Sequence, residues 1–285
     1  MRLVVLAIVT LIAFAANSVL NRMAVGSGDI DAISFAIVRL MSGAVALAIL
    51  VSARGLLQKK PIWPGWSGRF AGCFGLLLYI FSFSLAYISL ASGIGALILF
   101  GLAQITMFAG AVLARESVPA MRWLGAVVAF SGLIVLVSPF GAAVAFWPAV
   151  LMAASGIGWG IYSLAGRGSA DPLSATAANF ILTLPLAVPL LFWFGDLGAA
   201  EPLGLILAVI SGAITSGMGY ALWYWVVPQL GAARAAVAQL TVPILAALGG
   251  VAFLGEPLTL RFAFASALVL GGVALASLSG RKAAR

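Results

Sequence analysis

Long apolar stretches, separated by short polar breaks, run along the whole chain. A helix needs about 20 apolar residues to cross the hydrocarbon core of a bilayer, and the pattern predicts ten such segments. They cover residues 3–25, 32–52, 66–89, 93–114, 119–138, 145–166, 173–195, 203–227, 231–253 and 259–279. The breaks are rich in glycine, proline, serine and aspartate, which form turns. The sequence therefore predicts an all-α membrane protein with ten transmembrane helices.

Composition and charge point to the same class. Hydrophobic residues make up 64% of the chain and charged residues 8%, whereas soluble domains carry about 25% charged residues. Because apolar segments recur along the whole length, we expect the first one to be a span and not a cleaved signal peptide. The net charge of +8 does not indicate nucleic acid, because the basic residues flank apolar spans. The expected surroundings are a lipid bilayer.

Basic residues concentrate on alternate breaks, which predicts the orientation. With the N-terminus in the cytoplasm, most arginines and lysines lie inside, and only Arg22 and Arg261 lie outside, together with most of the acids. Both termini are therefore predicted to be cytoplasmic, in the inner (cell) membrane. Eight or twelve spans would also be an even number, so the bias supports the parity more than the count.

The two halves of the chain carry related motifs. Glu116-Ser-Val-Pro119 recurs ~140 residues later as Glu256-Pro257, and Asp31-x-x-Ser34 recurs as Asp171-x-x-Ser174. Internal duplication in a hydrophobic chain is typical of transporters whose halves pivot around a shared central site. The predicted domains are two five-helix repeats, at residues 1–140 and 141–285.

The duplication is predicted to be inverted. Five is an odd number of spans, so the second copy would enter the membrane from the opposite side. The charges agree, because Glu116 falls inside in this orientation whereas its counterpart Glu256 falls outside. Inverted halves have two near-equivalent packings, each open to one side, which is the physical basis of alternating access.

Several motifs resemble one known superfamily over essentially the whole chain. They are Gly255-Glu256-Pro257 after Thr241-Val-Pro243, the run from Gly158 to Tyr162, and the arginine near the start of span two. Together with the paired five-helix pattern, these motifs resemble the drug/metabolite transporter superfamily, EamA type. The first half departs from the family pattern, because Gln104-Ile-Thr106 stands where the second half has Thr241-Val-Pro243.

The resemblance implies a carrier with no enzymatic activity and an alternating-access mechanism. Within the superfamily, the aromatic-rich central helices are similar to those of aromatic amino acid exporters. Amino acids, including aromatic ones, are therefore the implied substrates, and export is the implied direction. We expect a monomer whose partners are a small-molecule substrate and the bilayer.

Polar side chains inside the spans are candidate substrate ligands, because such groups are costly in a membrane. Arg39 lies about eight residues into span two. It could attract a substrate carboxylate, or it could pair with a helix-end carbonyl or reach outward to the interface. The amides Asn17, Gln104 and Gln239 could contact substrate, or they could only join helices.

Aromatic side chains form a second set of candidates. Tyr79 and Phe83 share one helix face, and Trp159 and Tyr162 have glycine neighbours that open space beside them. Such stripes usually pack the protein interior, but they would also suit an apolar, aromatic substrate. The remaining candidates in this set are Trp223 and Tyr224.

Small residues and prolines are candidate gating positions. Glycines let helices approach closely and slide, and prolines remove a backbone hydrogen bond and allow a helix to bend. The same residues are also common in membrane helices without any gating role. The candidates are Gly93, Gly95, Gly158, Gly160, Pro185 and Pro243.

Missing residue types exclude several function classes. The chain has no histidine, so histidine-based hydrolases and most proton relays are excluded. No acid falls near the middle of a span, which argues against an aspartyl dyad and against proton coupling through a buried carboxylate. Glu116 and Glu256 are expected to cap helices or to pair with Arg122 and Arg261. We predict no catalytic residue, metal or cofactor.

The sequence therefore predicts an uncoupled, facilitative carrier of small amphipathic metabolites. A channel and a lipid or drug flippase of the same fold remain as alternatives. A non-transporting assembly factor is the weakest alternative, because an inverted duplication serves alternating access.

Overall fold

A computed structural model describes residues 2–59, 62–115, 119–137, 145–167, 169–230, 235 and 238–278. Within these residues the chain is helical and contains no strand. The predicted boundary between the two repeats, at residues 140 and 141, and the last seven residues lie outside this description.

We number the helices in chain order. They are α1 (Arg2–Gly26), α2 (Ala32–Gln58), α3 (Arg69–Ala86), α4 (Ser92–Leu113), α5 (Ala120–Val137), α6 (Phe146–Gly166), α7 (Pro172–Phe194), α8 (Pro202–Val209), a π-helix here called π1 (Ile210–Met218), α9 (Gly219–Leu230), α10 (Thr241–Leu254) and α11 (Leu260–Leu278).

Each predicted apolar segment contains a helix. Seven helical stretches are long and apolar enough to cross a bilayer, and three further apolar helices are shorter, at Ala120–Leu136, Thr241–Leu254 and Leu260–Ala276. Two segments differ from the prediction. Segment 203–227 is divided into α8, π1 and α9. In segment 231–253, described helical residues at 235 and 238–239 are followed by a turn at Leu240 and then by α10 from Thr241.

The molecule carries its apolar side chains outward and several polar ones inward. Large exposed side chains include Phe70 and Phe192, whereas Thr10, Asn21 and Arg39 are fully buried. A soluble protein shows the reverse preference. This distribution fits a chain surrounded by lipid, where polar groups are placed inside the bundle.

The repeated Asp-x-x-Ser motif begins helices α2 and α7. Asp31 Oδ1 accepts hydrogen bonds from the backbone N–H groups of Ile33 and Ser34, at 3.0 and 2.9 Å. Asp171 Oδ1 accepts one from the Ser174 N–H, at 3.3 Å. An aspartate at this position satisfies N–H groups that have no partner inside the helix. The motif is therefore a helix cap in both halves.

Helices α2 and α7 run antiparallel, with contacts at both ends. Arg54, near the end of α2, forms an ion pair with Asp171 at the start of α7; its Nη1 lies 2.9 Å from Asp171 Oδ1. At the other end, the Asp196 N–H, just after α7, donates to Asp31 Oδ2 at 3.0 Å. The start of each helix thus lies beside the end of its counterpart.

The Arg54–Asp171 pair should stabilise the fold in a pH-dependent way. Partial burial of the Asp171 carboxylate opposes its ionisation, but hydrogen bonds from Arg54 and Ser174 outweigh that effect and lower the pKa of Asp171 to about 2. The folded pKa lies below the unfolded one, so the contribution is complete above about pH 4 and is lost as the pH falls towards 2. We expect Arg54→Gln to lower the free energy of unfolding by about 1 kcal/mol at pH 7.

A double-mutant cycle measures this contribution. Arg54→Gln, Asp171→Asn and the double variant are compared by thermal unfolding in detergent at pH 7 and at pH 3. The coupling between the two positions should be favourable at pH 7 and smaller at pH 3. A coupling that is the same at both pH values would contradict the assignment.

Candidate functional site

Arg39 lies at the centre of the polar interior, with none of its surface exposed. Its Nε donates to Ser216 Oγ at 3.1 Å, and its Nη2 donates to the Tyr79 hydroxyl at 2.7 Å. The guanidinium carbon lies 5.2 Å from the ring centroid of Tyr79 and 4.9 Å from that of Phe83. Nη1 has no hydrogen-bond partner among the described residues. One nitrogen of the buried guanidinium is therefore left without a hydrogen-bond acceptor.

Asn17 anchors a second polar group beside Arg39. Its Oδ1 accepts hydrogen bonds from Ser211 Oγ at 2.8 Å, Thr215 Oγ1 at 2.5 Å and Ser216 Oγ at 3.4 Å. Ser216 thus accepts from Arg39 and donates to Asn17. The network joins α1, α2 and π1, and both of its principal side chains were predicted from sequence.

The serine and threonine hydroxyl groups of this network all come from the π-helix. A π-helix has a wider turn than an α-helix and is frequent at functional sites. Gly212 in π1 lies directly against the Arg39 carbonyl, so that a side chain there would collide with α2. The sequence analysis missed Ser211 and Thr215 as ligands. Their spacing of four residues in an otherwise apolar helix was the available signal.

An aromatic cluster surrounds Trp159. Its ring centroid lies 5.0 Å from Tyr79, 5.2 Å from Tyr220, 5.5 Å from Tyr162 and 6.5 Å from Phe14. Phe14 and Tyr220 were not among the predicted site residues, because an aromatic side chain in an apolar span carries no signal of its own. The candidates Trp159, Tyr79 and Tyr162 do lie together.

Several of these polar and aromatic groups line a small cavity. Its volume is about 20 Å³, which is room for about one water molecule. The cavity is lined by Phe14, Asn17, Ser18, Tyr79, Phe83, Leu99, Phe100, Trp159 and Tyr220. A metabolite is larger than this space, so the cavity must widen before anything of that size can bind.

The other predicted ligands lie away from this cavity. Gln104 and Gln239 are partly buried but do not line it. Trp223 packs on the far side of Phe14, with ring centroids 5.6 Å apart, and the Tyr162 hydroxyl bonds to Thr176 at 3.0 Å. The side chain of Tyr224 lies outside the described residues. Four predicted ligands line the cavity, namely Asn17, Tyr79, Phe83 and Trp159, and Arg39 adjoins it through Tyr79 and Phe83.

The candidate gating glycines sit at close contacts between parts of the fold. A Cβ atom on Gly93 would lie 2.5 Å from Ala247, one on Gly95 would lie 2.5 Å from the Tyr87 ring, and one on Gly160 would lie 2.5 Å from Thr106. Such contacts explain why these positions are glycine. Whether the contacts also move during gating stays a prediction.

The fourth glycine and the two prolines occupy different settings. A Cβ atom on Gly158 would lie 2.6 Å from the Tyr79 backbone nitrogen. Pro185 lies inside α7, on an exposed face. Pro243 is in the first turn of α10, where a proline is tolerated because the N–H groups there have no partner within the helix. It lies three residues after the turn at Leu240, which itself follows helical residues 238 and 239. A hinge role for Pro243 stays a prediction.

Glu256 ties the loop after α10 to the start of α4. Its carboxylate accepts hydrogen bonds from the Ser92 N–H at 2.8 Å and from Ser92 Oγ at 3.3 Å. Arg22 Nε lies 3.7 Å from the same carboxylate, and Arg22 Nη1 donates to the Ile88 carbonyl at 2.6 Å. The expected capping role is therefore seen, but the ion-pair partner is Arg22.

The expected partner of Glu256 has a different role. Arg261 Nε donates to the Val135 carbonyl at 2.8 Å, which links α11 to α5. Glu116, the counterpart of Glu256, lies outside the described residues.

Comparison with known proteins identifies the family. Residues 146–278 match the EamA-like transporter family. An uncharacterized protein of Pseudomonas aeruginosa is 43% identical over 277 residues, which cover 96% of this chain and 94% of that protein. The chain belongs to the EamA-like transporter family. The EamA match falls within the predicted second repeat.

The chain is also similar to a second relative in sequence and to a solved structure in fold. An uncharacterized transporter of Archaeoglobus fulgidus is 28% identical over 224 residues, covering 76% of this EamA chain and 80% of that one. A protein of known crystal structure has a TM-score of 0.67 at 21% identity, and covers 95% of this chain and 98% of its own. Together with the apolar helices, the family assignment makes the chain a multi-pass membrane transporter of the drug/metabolite type.

Proposed function

We propose that this EamA protein is a facilitative carrier in the cell membrane that moves small amphipathic carboxylates, amino acids including aromatic ones among them, by alternating access. The observation that carries the proposal is Arg39. A fully buried guanidinium with an unpartnered Nη1 lies beside an aromatic cavity. A cation buried without a counter-charge is costly, and a bound carboxylate would offset that cost through charge-assisted hydrogen bonds.

The aromatic cluster would contact the apolar part of the substrate. The cavity is lined by the aromatic residues Trp159, Phe14 and Tyr220 together with the polar residues Asn17 and Ser18. Small-molecule sites typically combine such an apolar wall with a few polar groups that fix orientation. A side chain with an apolar body and a carboxylate head would use both. Export is the proposed direction, by the resemblance to aromatic amino acid exporters.

The proposed architecture is ten spans in two inverted five-helix repeats, with both termini in the cytoplasm. Antiparallel packing of α2 and α7 supports it, because these helices are equivalent in the two copies. A second pair of contacts supports it as well. Gly72 of α3 approaches Asn179, and Gly212 of π1 approaches Arg39. In the proposed repeat, Gly72 corresponds to Gly212 and Arg39 corresponds to Asn179. Such swapped contacts are what a pseudo-two-fold axis in the membrane plane produces.

Counterflow in proteoliposomes tests the carrier mechanism. Vesicles containing purified protein are loaded with unlabelled L-phenylalanine, and uptake of labelled L-phenylalanine is followed. We expect saturable uptake that internal substrate accelerates, and no accumulation when only a pH difference is imposed. Flux without saturation or acceleration would indicate a channel, and accumulation that requires a pH difference would contradict uncoupled transport.

Competition separates this function from a lipid flippase. Free amino acids should compete with labelled uptake, and lysophospholipids should not. The contacts of Arg22 favour this result, because its guanidinium is already engaged by Glu256 and by the carbonyl oxygens of Tyr87 and Ile88. It is therefore not available to hold a headgroup in this state.

A further inference from the structure

We infer that the central site prefers a monocarboxylate without an ammonium group to the zwitterionic amino acid with the same side chain. The inference rests on the proposed function, because it assigns a substrate class to the same cavity. It goes further because it predicts a higher affinity for an aromatic acid such as 3-phenylpropionate than for phenylalanine.

The first argument is the charge balance of the interior. The chain has seven acidic residues, and those described stand at helix ends or in connections and do not line the cavity. Among them, Glu256 is engaged with Ser92 and Arg22. No described carboxylate therefore neutralises the Arg39 charge.

The net charge of the ligand then decides the electrostatic cost. A monocarboxylate brings one negative charge, so its complex with Arg39 is neutral. A zwitterion brings no net charge, so the complex keeps the buried positive charge and adds an ammonium that must lose its water. Burying an ion without a partner is among the largest unfavourable terms in a protein interior. The ammonium group should therefore lower the affinity of a ligand for this cavity.

The second argument is the supply of hydrogen-bond acceptors. An ammonium group needs acceptors for three N–H groups. Asn17 Oδ1 already accepts from Ser211, Thr215 and Ser216, and the Tyr79 hydroxyl oxygen already accepts from Arg39. Asn17 and Tyr79 therefore offer acceptors that are already occupied, whereas Arg39 beside them has an unused donor at Nη1.

Aromatic rings could also hold a cation over their faces, but two of them already do. The Arg39 guanidinium lies over the rings of Tyr79 and Phe83. Trp159 contacts Tyr79, Tyr162 and Tyr220, and a substrate ring would enter the same cluster. A second cation would have to share these faces with the first.

Three matched ligands test the inference. Binding of 3-phenylpropionate, L-phenylalanine and phenethylamine to the purified full chain in nanodiscs is measured at pH 7 by tryptophan fluorescence, and the two carboxylates are then compared in counterflow. We expect the dissociation constant of 3-phenylpropionate to be lower than that of L-phenylalanine by about tenfold or more, and no binding of phenethylamine.

Arginine variants connect the preference to Arg39. Arg39→Gln should strongly weaken the binding of 3-phenylpropionate and reduce the difference in dissociation constant between the two carboxylates. Arg69→Gln is the matched control. Arg69 is also a buried arginine, but it bonds to Asn179 and to the Ala175 carbonyl of α7 and does not line the cavity. The preference for 3-phenylpropionate should therefore persist in Arg69→Gln.

The outcomes distinguish the inference from the proposed function. If L-phenylalanine binds as tightly as 3-phenylpropionate or more tightly, the inference is wrong while the carrier proposal stands. A preference that persists in Arg39→Gln would also overturn it. If neither carboxylate binds and neither shows counterflow, the proposed function itself fails.

Discussion

Arg39→Met should abolish transport of carboxylates while leaving the unliganded protein at least as stable as the wild type. We expect uptake to fall by about 100-fold, because the charge-assisted hydrogen bonds to the substrate are lost. The unliganded stability should hold or rise, because methionine fills similar space and removes a buried charge that no described acid neutralises. Counterflow and thermal unfolding in detergent provide the two measurements.

Arg69→Met provides the contrast. Arg69 is 4% exposed and donates to the Ser67 and Ala175 carbonyl groups and to Asn179 Oδ1, so it is a structural arginine. Its replacement should lower the melting temperature and leave the affinity of the remaining folded protein unchanged. A drop in melting temperature for Arg39→Met as large as that for Arg69→Met would show that Arg39 serves packing and not substrate binding.

Gly158→Ala should destabilise the protein far more than Gly166→Ala on the same helix. A Cβ atom at Gly158 would lie 2.6 Å from the Tyr79 nitrogen and 2.8 Å from the Gly75 oxygen. Both are backbone atoms of α3, so the two helices must separate. Overpacking of this kind costs about 1–3 kcal/mol, which corresponds to a fall in melting temperature of roughly 3–10 °C for a protein of this size.

The control position has free space. No atom lies within 4 Å of a Cβ placed on Gly166, and alanine favours helix over glycine. Gly166→Ala should therefore leave the melting temperature unchanged or slightly raised, measured by tryptophan fluorescence on heating. Equal effects at the two glycines would mean that α3 and α6 do not pack as closely as the structure shows. Loss of transport should accompany Gly158→Ala, because Tyr79 and Trp159 line the cavity from these two helices.

The helices could be predicted from sequence because each depends on a local run of apolar residues. The division of segment 203–227 could not, since a π-helix and an α-helix share the same apolar pattern. The turn at Leu240 before α10 was open to prediction, because Pro243 fits the first turn of a helix better than its interior.

Only part of the candidate site was accessible from sequence. Arg39 and Asn17 could be identified because a polar side chain inside a span is costly wherever it points. Their partners could not be assigned, because Ser216 is 177 residues from Arg39 along the chain and only the tertiary fold brings them together. Tyr220 was missed for a related reason, since its neighbours Phe14 and Trp159 belong to other helices.

The two ends of the α2–α7 pair are held by contacts of unequal strength. Parting the helices at one end breaks the ion pair of Arg54 with Asp171, whereas parting them at the other end breaks the hydrogen bond from the Asp196 N–H to Asp31. Both contacts use a carboxylate, but Arg54 and Asp171 join two opposite charges through two hydrogen bonds, whereas Asp31 accepts one bond from an uncharged N–H group. An ion pair weakens as salt rises. Low ionic strength should therefore favour opening at the Asp196 end, and high ionic strength should reduce that difference. The α2–α7 pair would thus carry a directional bias in one pair of side chains.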